Sequence, residues 1–291
     1  MKAIKFLPFE HFNANFKPLQ AYNYGLVESF FNKVFNKNHT VITKNGREAI
    51  SIILKSLCLQ FKDEIYITTT FDFPNVSSCV TSTIFNYCKP SRVLSSDTKA
   101  IFVIHEFGVP HPHLLQLKNT ALNLGIPLIE DCAHTFLSES KGIHVGKVGD
   151  YTLTSLSKFF PVNKGGILSA NSEISRPCQP LTIYDLQILE HEIKNIDTAK
   201  EKRRLYSKIY KENLFHGEAL LNDYLNDDIV PWFFPVRFID SSDLIEYLNR
   251  VRIDAGIWHG TNLVVLPLHQ FITEEEVLSI CKLINDYYAK K

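Results

Sequence analysis

Asp131 and Lys158 are the two residues whose types and spacing first suggest chemistry. Asp131 closes the apolar run IPLIED (residues 126–131), and Lys158 follows twenty-seven residues later in a serine-rich turn, SLSK. A carboxylate at the end of a buried strand is costly unless it is paired or functional. A lysine beside small hydroxyls can form a covalent bond to a carbonyl carbon while those hydroxyls and nearby amides hold an anion. Together the two fit pyridoxal 5'-phosphate, which needs a lysine for attachment, an acid for its pyridine nitrogen and donors for its phosphate. On spacing alone, the same pair also fits a surface lysine and a helix-capping aspartate.

Short apolar runs must position these groups. Residues 66–70 (YITTT), 100–105 (AIFVIH), 126–130 (IPLIE) and 167–170 (ILSA) read as strands buried on both faces, as in a parallel sheet. Residues 48–59 carry Ile52, Ile53, Leu57 and Leu59 near one side, and residues 113–124 repeat Leu114, Leu115, Leu117, Leu122 and Leu124 before Gly125, so both read as helices. Strand, helix, strand in succession predicts an α/β fold with right-handed crossovers, in which functional groups gather outside the carboxyl ends of the strands. Beyond about residue 176 the texture changes. Residues 186–214 interleave acids with bases and read as one long solvated helix linking two lobes. Residues 230–238, 241–251, 262–269 and 273–288 then predict a smaller α+β unit, its last helix opening on Thr273 with Glu274, Glu275 and Glu276 behind it. The expected division is a large domain over residues 1–175 and a linking helix with a small domain over residues 176–291.

Composition removes several classes of function. Thirty-one basic residues balance thirty-one acidic ones, so no global field draws the chain to nucleic acid or an anionic membrane, and any anion site must be local. Apolar residues at 45% against 21% charged describe a folded globular chain. Cys58, Cys79, Cys88, Cys132, Cys178 and Cys281 lie far apart with no C-x-x-C pair, which speaks for scattered buried thiols in a reducing cytosol and against zinc or a disulfide framework. The eleven histidines hold no H-E-x-x-H pair, and G-x-S-x-G is absent, so neither a metal nor serine hydrolase chemistry is expected. No run approaches the ~20 apolar residues of a membrane span. The opening MKAIKFLPFEHFNANF lacks the apolar core of a secretory signal, and a cytoplasmic protein is expected.

Six segments, in order, carry a specific resemblance: KNGREAI (residues 44–50), DEIYITTTFDFPNVSS (63–78), VIHEFGVP (103–110), IPLIEDCAHTF (126–136), HVGKVGDYTLTSLSKFFPVNKGG (144–166) and NLVVLPLHQFITEEEV (262–277). Together they resemble the DegT/StrS-type aminotransferases, pyridoxal phosphate enzymes of the aspartate aminotransferase fold (fold type I). The resemblance implies a three-layer αβα large domain with a mainly parallel sheet and a smaller carboxy-terminal α+β domain. It implies that Lys158 bears the cofactor and then shuttles a proton, with Lys164 the rival lysine. Asp131 would pair with the pyridine nitrogen and His134 would face the phenolic oxygen. Gly46 and Arg47 would open the phosphate-binding turn, Ser155 would add a hydroxyl, and Phe73 would stack on the ring.

The same resemblance implies amino transfer, with glutamate as donor and a nucleotide-linked keto-deoxysugar as acceptor, in surface polysaccharide or O-antigen synthesis by a homodimer. The retained lysine sets the chain apart from the family's dehydratases, which carry histidine there. Two departures stand out: the interval from Asp150 to Lys158 is short, and no G-x-N-x-R motif follows Gly166, so the chain reads as a shortened member. Other readings are a cofactor-binding relative without amination activity, serving as an assembly partner, and a flavodoxin-like nucleotide binder, which leaves the pairing of Asp131 with Lys158 unexplained.

Overall fold

The computed structural model describes residues 3–10 and 25–291. In chain order, the first half contains α1 (Leu26–Phe35), β1 (His39–Thr43), α2 (Gly46–Ser56), β2 (Glu64–Thr69), α3 (Ser78–Phe85), β3 (Lys89–Ser91), β4 (Thr98–Ile104), α4 (Leu114–Leu124) and β5 (Leu128–Asp131). A small hairpin, β6 (Glu139–Ser140) with β7 (Ile143–His144), precedes β8 (Tyr151–Ser155) and β9 (Gly166–Ala170). Seven of these strands form one sheet in the order β1-β9-β8-β5-β4-β2-β3. The neighbours from β3 through β8 run parallel. The sequence predicts a parallel strand at 167–170, but β9 is antiparallel to both β8 and β1. Residues 156–165 are too few for a crossover helix, so the chain must turn straight back, and Lys158 lies in that turn.

Period-two alternation divides the sheet's side chains between two cores. Phe102, Ile104 and Ile129 pack with Ala49, Ile50, Ile53 and Leu54 of α2 on one face. Ile101, Val103 and Leu128 pack with Leu114 and Ala121 of α4 on the other. The buried stripe of α2 is therefore turned from the one read in sequence, since Leu57 and Leu59 lie beyond its last residue. On α4, Leu115, Leu122 and Leu124 are exposed. A run of leucines marks a helix but does not fix which stripe meets the sheet.

The charge-rich stretch is two helices, α5 (Ile183–Lys194) and α6 (Ile196–Asn213), separated at Asn195. Asn195 returns its side-chain amide to the His191 carbonyl at 2.8 Å, a local bond that competes with helix continuation. The expectation of a merely solvated helix is also corrected, because Arg203 is 1% exposed. Its guanidinium donates to the carbonyls of Pro231, Trp232 and Leu268 at 3.3, 3.2 and 2.8 Å and to Gln270 Oε1 at 3.0 Å. Gln270 passes the connection on, donating to the Phe159 carbonyl next to Lys158 at 2.8 Å.

The remaining elements are β10 (Glu218–Ala219), β11 (Phe234–Arg237), α7 (Ser241–Arg250), β12 (Gly256–Ile257), β13 (Leu263–Leu266) and α8 (Glu274–Ala289). The four strands form a second, antiparallel sheet in the order β10-β11-β13-β12. Thr273 and Glu276 close a reciprocal capping box at the start of α8. Ile4, near the amino terminus, bridges to Ile253 and packs into this second core.

Arg203→Met would leave four buried oxygens without their donor. It is expected to lower unfolding stability by about 3 kcal/mol in urea titrations, and a loss below about 1 kcal/mol would contradict the role given to Arg203.

Candidate active site

Sheet register builds the floor of the site. Thr69, Ile104, Asp131 and Leu153 are partners in one row across β2, β4, β5 and β8. All four line a cavity of about 400 Å³ at the carboxyl ends of these strands. Alternation also separates the two consecutive acids of β5. Asp131, on the side of Ile129, enters the cavity wall, whereas Glu130 joins a buried network on the opposite face.

That network fixes the end of the strand from behind. Glu130 accepts from His105 Nε2 at 3.0 Å and from the Gly146 amide at 2.9 Å, and it also accepts from the Gly149 amide. Burial opposes its ionisation, yet the hydrogen bond from His105 together with these amides holds the carboxyl below its ordinary range. His105 Nδ1 accepts the His111 amide at 2.9 Å, so its proton resides on Nε2 and points at Glu130. A side chain at Gly149 would place a Cβ 3.1 Å from Glu130 Oε1 and 2.8 Å from the Tyr151 carbonyl. The ligand atoms of His105, Glu130 and Cys132 lie within 4.8 Å of one another, but the hydrogen bonds just named already occupy Glu130 and His105.

Asp131 is 6% exposed and accepts the Ala133 amide at 2.9 Å. Burial pushes its carboxyl up, while that amide and Lys158 pull it back. Lys158 is half-buried in the 3-10 turn Leu156–Lys158. Loss of hydration lowers its amine to about 8, opposed by the charges of Asp131 and Cys79. Its Nζ lies 3.9 Å from the centre of the Trp232 ring. Lys164, by contrast, points to Asp185 of α5 at 3.7 Å.

The amino end of α2 supplies the opposite wall. Asn45 caps it by accepting the Glu48 amide at 3.1 Å, and Gly46 and Arg47, the first helical residues, line the cavity. Early helix amides lack partners within the helix and favour an anion there. The turn from β8 is pressed against this cap. A Cβ at Gly166 would come 2.7 Å from the Asn45 carbonyl carbon and from Thr43 Oγ1, so only glycine permits the approach. Ser155 and Ser157, their hydroxyls 3.5 Å apart, line the same space.

His134 also lines the cavity, 8% exposed, with Nδ1 buried and lacking a hydrogen-bond partner. Burial, then Lys158 and His259, hold it neutral. Of the residues expected from sequence, only Phe73 is not brought to the cavity. It stacks on Phe71, ring centres 5.7 Å apart, and Phe71 in turn meets Phe107 and Tyr224, an aromatic cluster that draws the loop after β2 away.

Sequence reasoning did not reach Trp232, Trp258, His259, Glu106 or Cys79, all of which line the cavity. Glu106 is 4% exposed and accepts the Phe71 amide at 3.1 Å; burial raises its carboxyl to about 7. One signal was available: the chain has two tryptophans, a large investment of aromatic surface, and both face this space.

These residues fit pyridoxal phosphate. The cavity holds an amine, a buried carboxyl that a neighbouring cation would relieve, the open end of a helix, and two buried polar atoms without partners, His134 Nδ1 and Trp232 Nε1.

Residues 89–187 match the model of the DegT/DnrJ/EryC1/StrS aminotransferase family. Over 336 aligned positions the chain is 24% identical to GDP-perosamine synthase of Escherichia coli O157:H7, covering 91% of each. Because 91% of 291 residues is far fewer than 336, that relative carries segments absent here. It is 25% identical to UDP-4-amino-4,6-dideoxy-N-acetyl-beta-L-altrosamine transaminase of Campylobacter jejuni, covering 66% of this chain and 58% of that one. In fold it is similar to the PLP form of the sugar aminotransferase Spr1654 of Streptococcus pneumoniae, with a TM-score of 0.77, 14% identity and 99% of both chains covered. Helicobacter pylori PseC, described as an aminotransferase of pseudoaminic acid biosynthesis, gives a TM-score of 0.73 at 16% identity, covering 95% of this chain and 94% of that one. The matched segment runs from β3 through the Asp131 strand and the Lys158 turn into α5, so the similarity to this family's model covers both residues of the pair.

Proposed function

We propose that this protein is a pyridoxal phosphate-dependent aminotransferase that moves an amino group from an amino acid, glutamate by expectation, to a keto group on a nucleotide-linked deoxysugar. Surface polysaccharide or O-antigen synthesis is the proposed setting, in the cytoplasm and as a homodimer. The observation that carries the reading is the meeting of the Lys158 amine and the buried Asp131 carboxyl in one cavity at the carboxyl edge of the sheet. The names of the relatives support a sugar acceptor, since the GDP-perosamine synthase and the altrosamine transaminase both take sugar nucleotides by name.

The residues divide the work as follows. When bound, pyridoxal phosphate supplies a ring that draws electrons from the carbon bearing the amino group. Asp131 offers that ring's nitrogen a carboxylate that the protein interior leaves short of compensation, so it favours a proton there. His134, neutral, lines the cavity beside Lys158 and would lie at the ring's edge. The amino end of α2 with Gly46 and Arg47, together with Ser155 and Ser157, would hold the phosphate without a basic surface. Lys158, once free, holds the proton that must move between substrate carbon and acceptor. A pKa of about 8 leaves roughly one amine in ten unprotonated at pH 7, enough for it to act as base and then as acid.

Borohydride reduction of the holoprotein should fix the cofactor on the Lys158 peptide by mass spectrometry, with no adduct in Lys158→Ala. In a single turnover, glutamate should convert the bound cofactor to its amine form; a cofactor that stays unchanged with every amino donor would leave binding without amination. In the cofactor-free protein, the rate at which Lys158 reacts with an aldehyde should rise with pH through a midpoint near 8. Because the Asp131 charge raises that midpoint, Asp131→Asn should move it lower, and a midpoint above 10 would contradict the site described.

A further inference from the structure

Glu106 is a carboxyl in the cavity wall to which the proposed reaction gives no task. It lies just beyond the end of β4 and is 4% exposed. Its Oε2 accepts the Phe71 amide at 3.1 Å, and its own amide donates to Thr70 Oγ1 at 3.1 Å, so the residue is held from the side of β2. Oε1 makes no hydrogen bond with the described residues, and it keeps accessible surface where Glu106 lines the cavity. A carboxyl anchored through one oxygen and open through the other is arranged to meet an occupant.

Sheet order says which edge of a pyridoxal phosphate ring would reach it. Asp131, at the end of β5, takes the ring nitrogen, and Lys158 takes the carbon arm opposite that nitrogen. The phosphate arm leaves toward Ser155 and the amino end of α2, which lie on the β8 and β9 side of Asp131. The other edge of the ring, which carries the 3-oxygen, is therefore turned to β4 and Glu106. With the ring nitrogen protonated, the 3-oxygen bears the balancing negative charge and calls for a donor. Burial holds the Glu106 carboxyl up at about 7, against the Phe71 amide and the Arg92 charge and with Asp72 adding to the rise, so near neutrality it keeps a proton to give.

We propose that Glu106 is a cofactor-binding residue whose protonated Oε1 donates a hydrogen bond to the 3-oxygen of pyridoxal phosphate. The inference rests on the aminotransferase reading and deepens it. The family resemblance assigns that oxygen to His134, and an oxyanion has lone pairs for both. Two acids then serve the ring in opposite states, Asp131 as the anion beside a protonated nitrogen and Glu106 as the neutral acid beside an ionised oxygen.

The test compares pyridoxal phosphate with its 3-deoxy analogue, which lacks only that oxygen. Each is titrated by calorimetry into native protein, Glu106→Gln and Glu106→Leu from about pH 6 to about pH 9, with melting temperatures measured alongside and attachment to Lys158 checked by borohydride reduction. Glutamine keeps an oxygen for the Phe71 amide, and neither variant titrates at position 106. The oxyanion holds the Glu106 proton more tightly in the complex than in the free protein, so affinity present below pH 7 is lost above it. In native protein the preference for pyridoxal phosphate over the analogue should therefore fall about tenfold across the range. In the variants it should stay within about twofold, and either variant suffices if the other fails to fold. A preference flat with pH in native protein, or one that falls alike in native protein and a folded variant, would overturn the role of Glu106 while leaving the aminotransferase reading in place. Native protein that takes up neither compound on Lys158 would overturn that reading and the proposal with it.

Discussion

Everything at the site follows from placing a carboxyl at the last residue of β5, inside a sheet that leaves it 6% exposed. Asp131 has one backbone donor and a lysine across the cavity, and burial still pushes it toward neutrality. The structure tolerates this because the residue before it is anchored so firmly. Glu130 is enclosed by His105, Gly146 and Gly149 on the far face, and the two acids cannot exchange places without moving both to the wrong side of the sheet. One acid is satisfied and structural. Its neighbour is left short of partners and open to a cation.

A second constraint joins the two sheets around the lysine. Arg203 on α6 ties together the carbonyls of residues 231, 232 and 268, and through Gln270 it reaches the backbone directly after Lys158. A buried guanidinium is costly to desolvate, and its planar fork of donors matches several carbonyl oxygens at once. The segment carrying Trp232 and the turn carrying Lys158 are thus held by one group, which is why the cation above the indole and the ring beneath His134 sit within 4.0 Å.

Much of this was legible in the residues. The strand ending in Asp131 and the glycine turn at the start of α2 are local features, and local pattern describes them. The site residues gathered by register were reached through the family resemblance, and Asp131, His134, Ser155, Lys158, Gly46 and Arg47 do line one cavity. Phe73 does not line that cavity; it stacks on Phe71, and no spacing rule records such a choice. The direction of β9 depended on loop length rather than on strand composition. The burial of Arg203 is hidden because a charged helix looks solvated until its partners, 28 to 67 residues away, are known. Trp232 and Trp258 come from separate loops of the second half, and only their rarity marked them.

The central claim is that Asp131 and Lys158 form a matched pair across a pyridoxal phosphate ring, the acid keeping the ring nitrogen protonated. Nitrogen NMR of the holoprotein, with the label in the cofactor's ring, reads that proton directly. The native protein should show a protonated ring nitrogen that Asp131→Asn converts to the unprotonated form while the cofactor remains on Lys158. An unprotonated nitrogen in the native protein, or the same signal in both, would contradict the account.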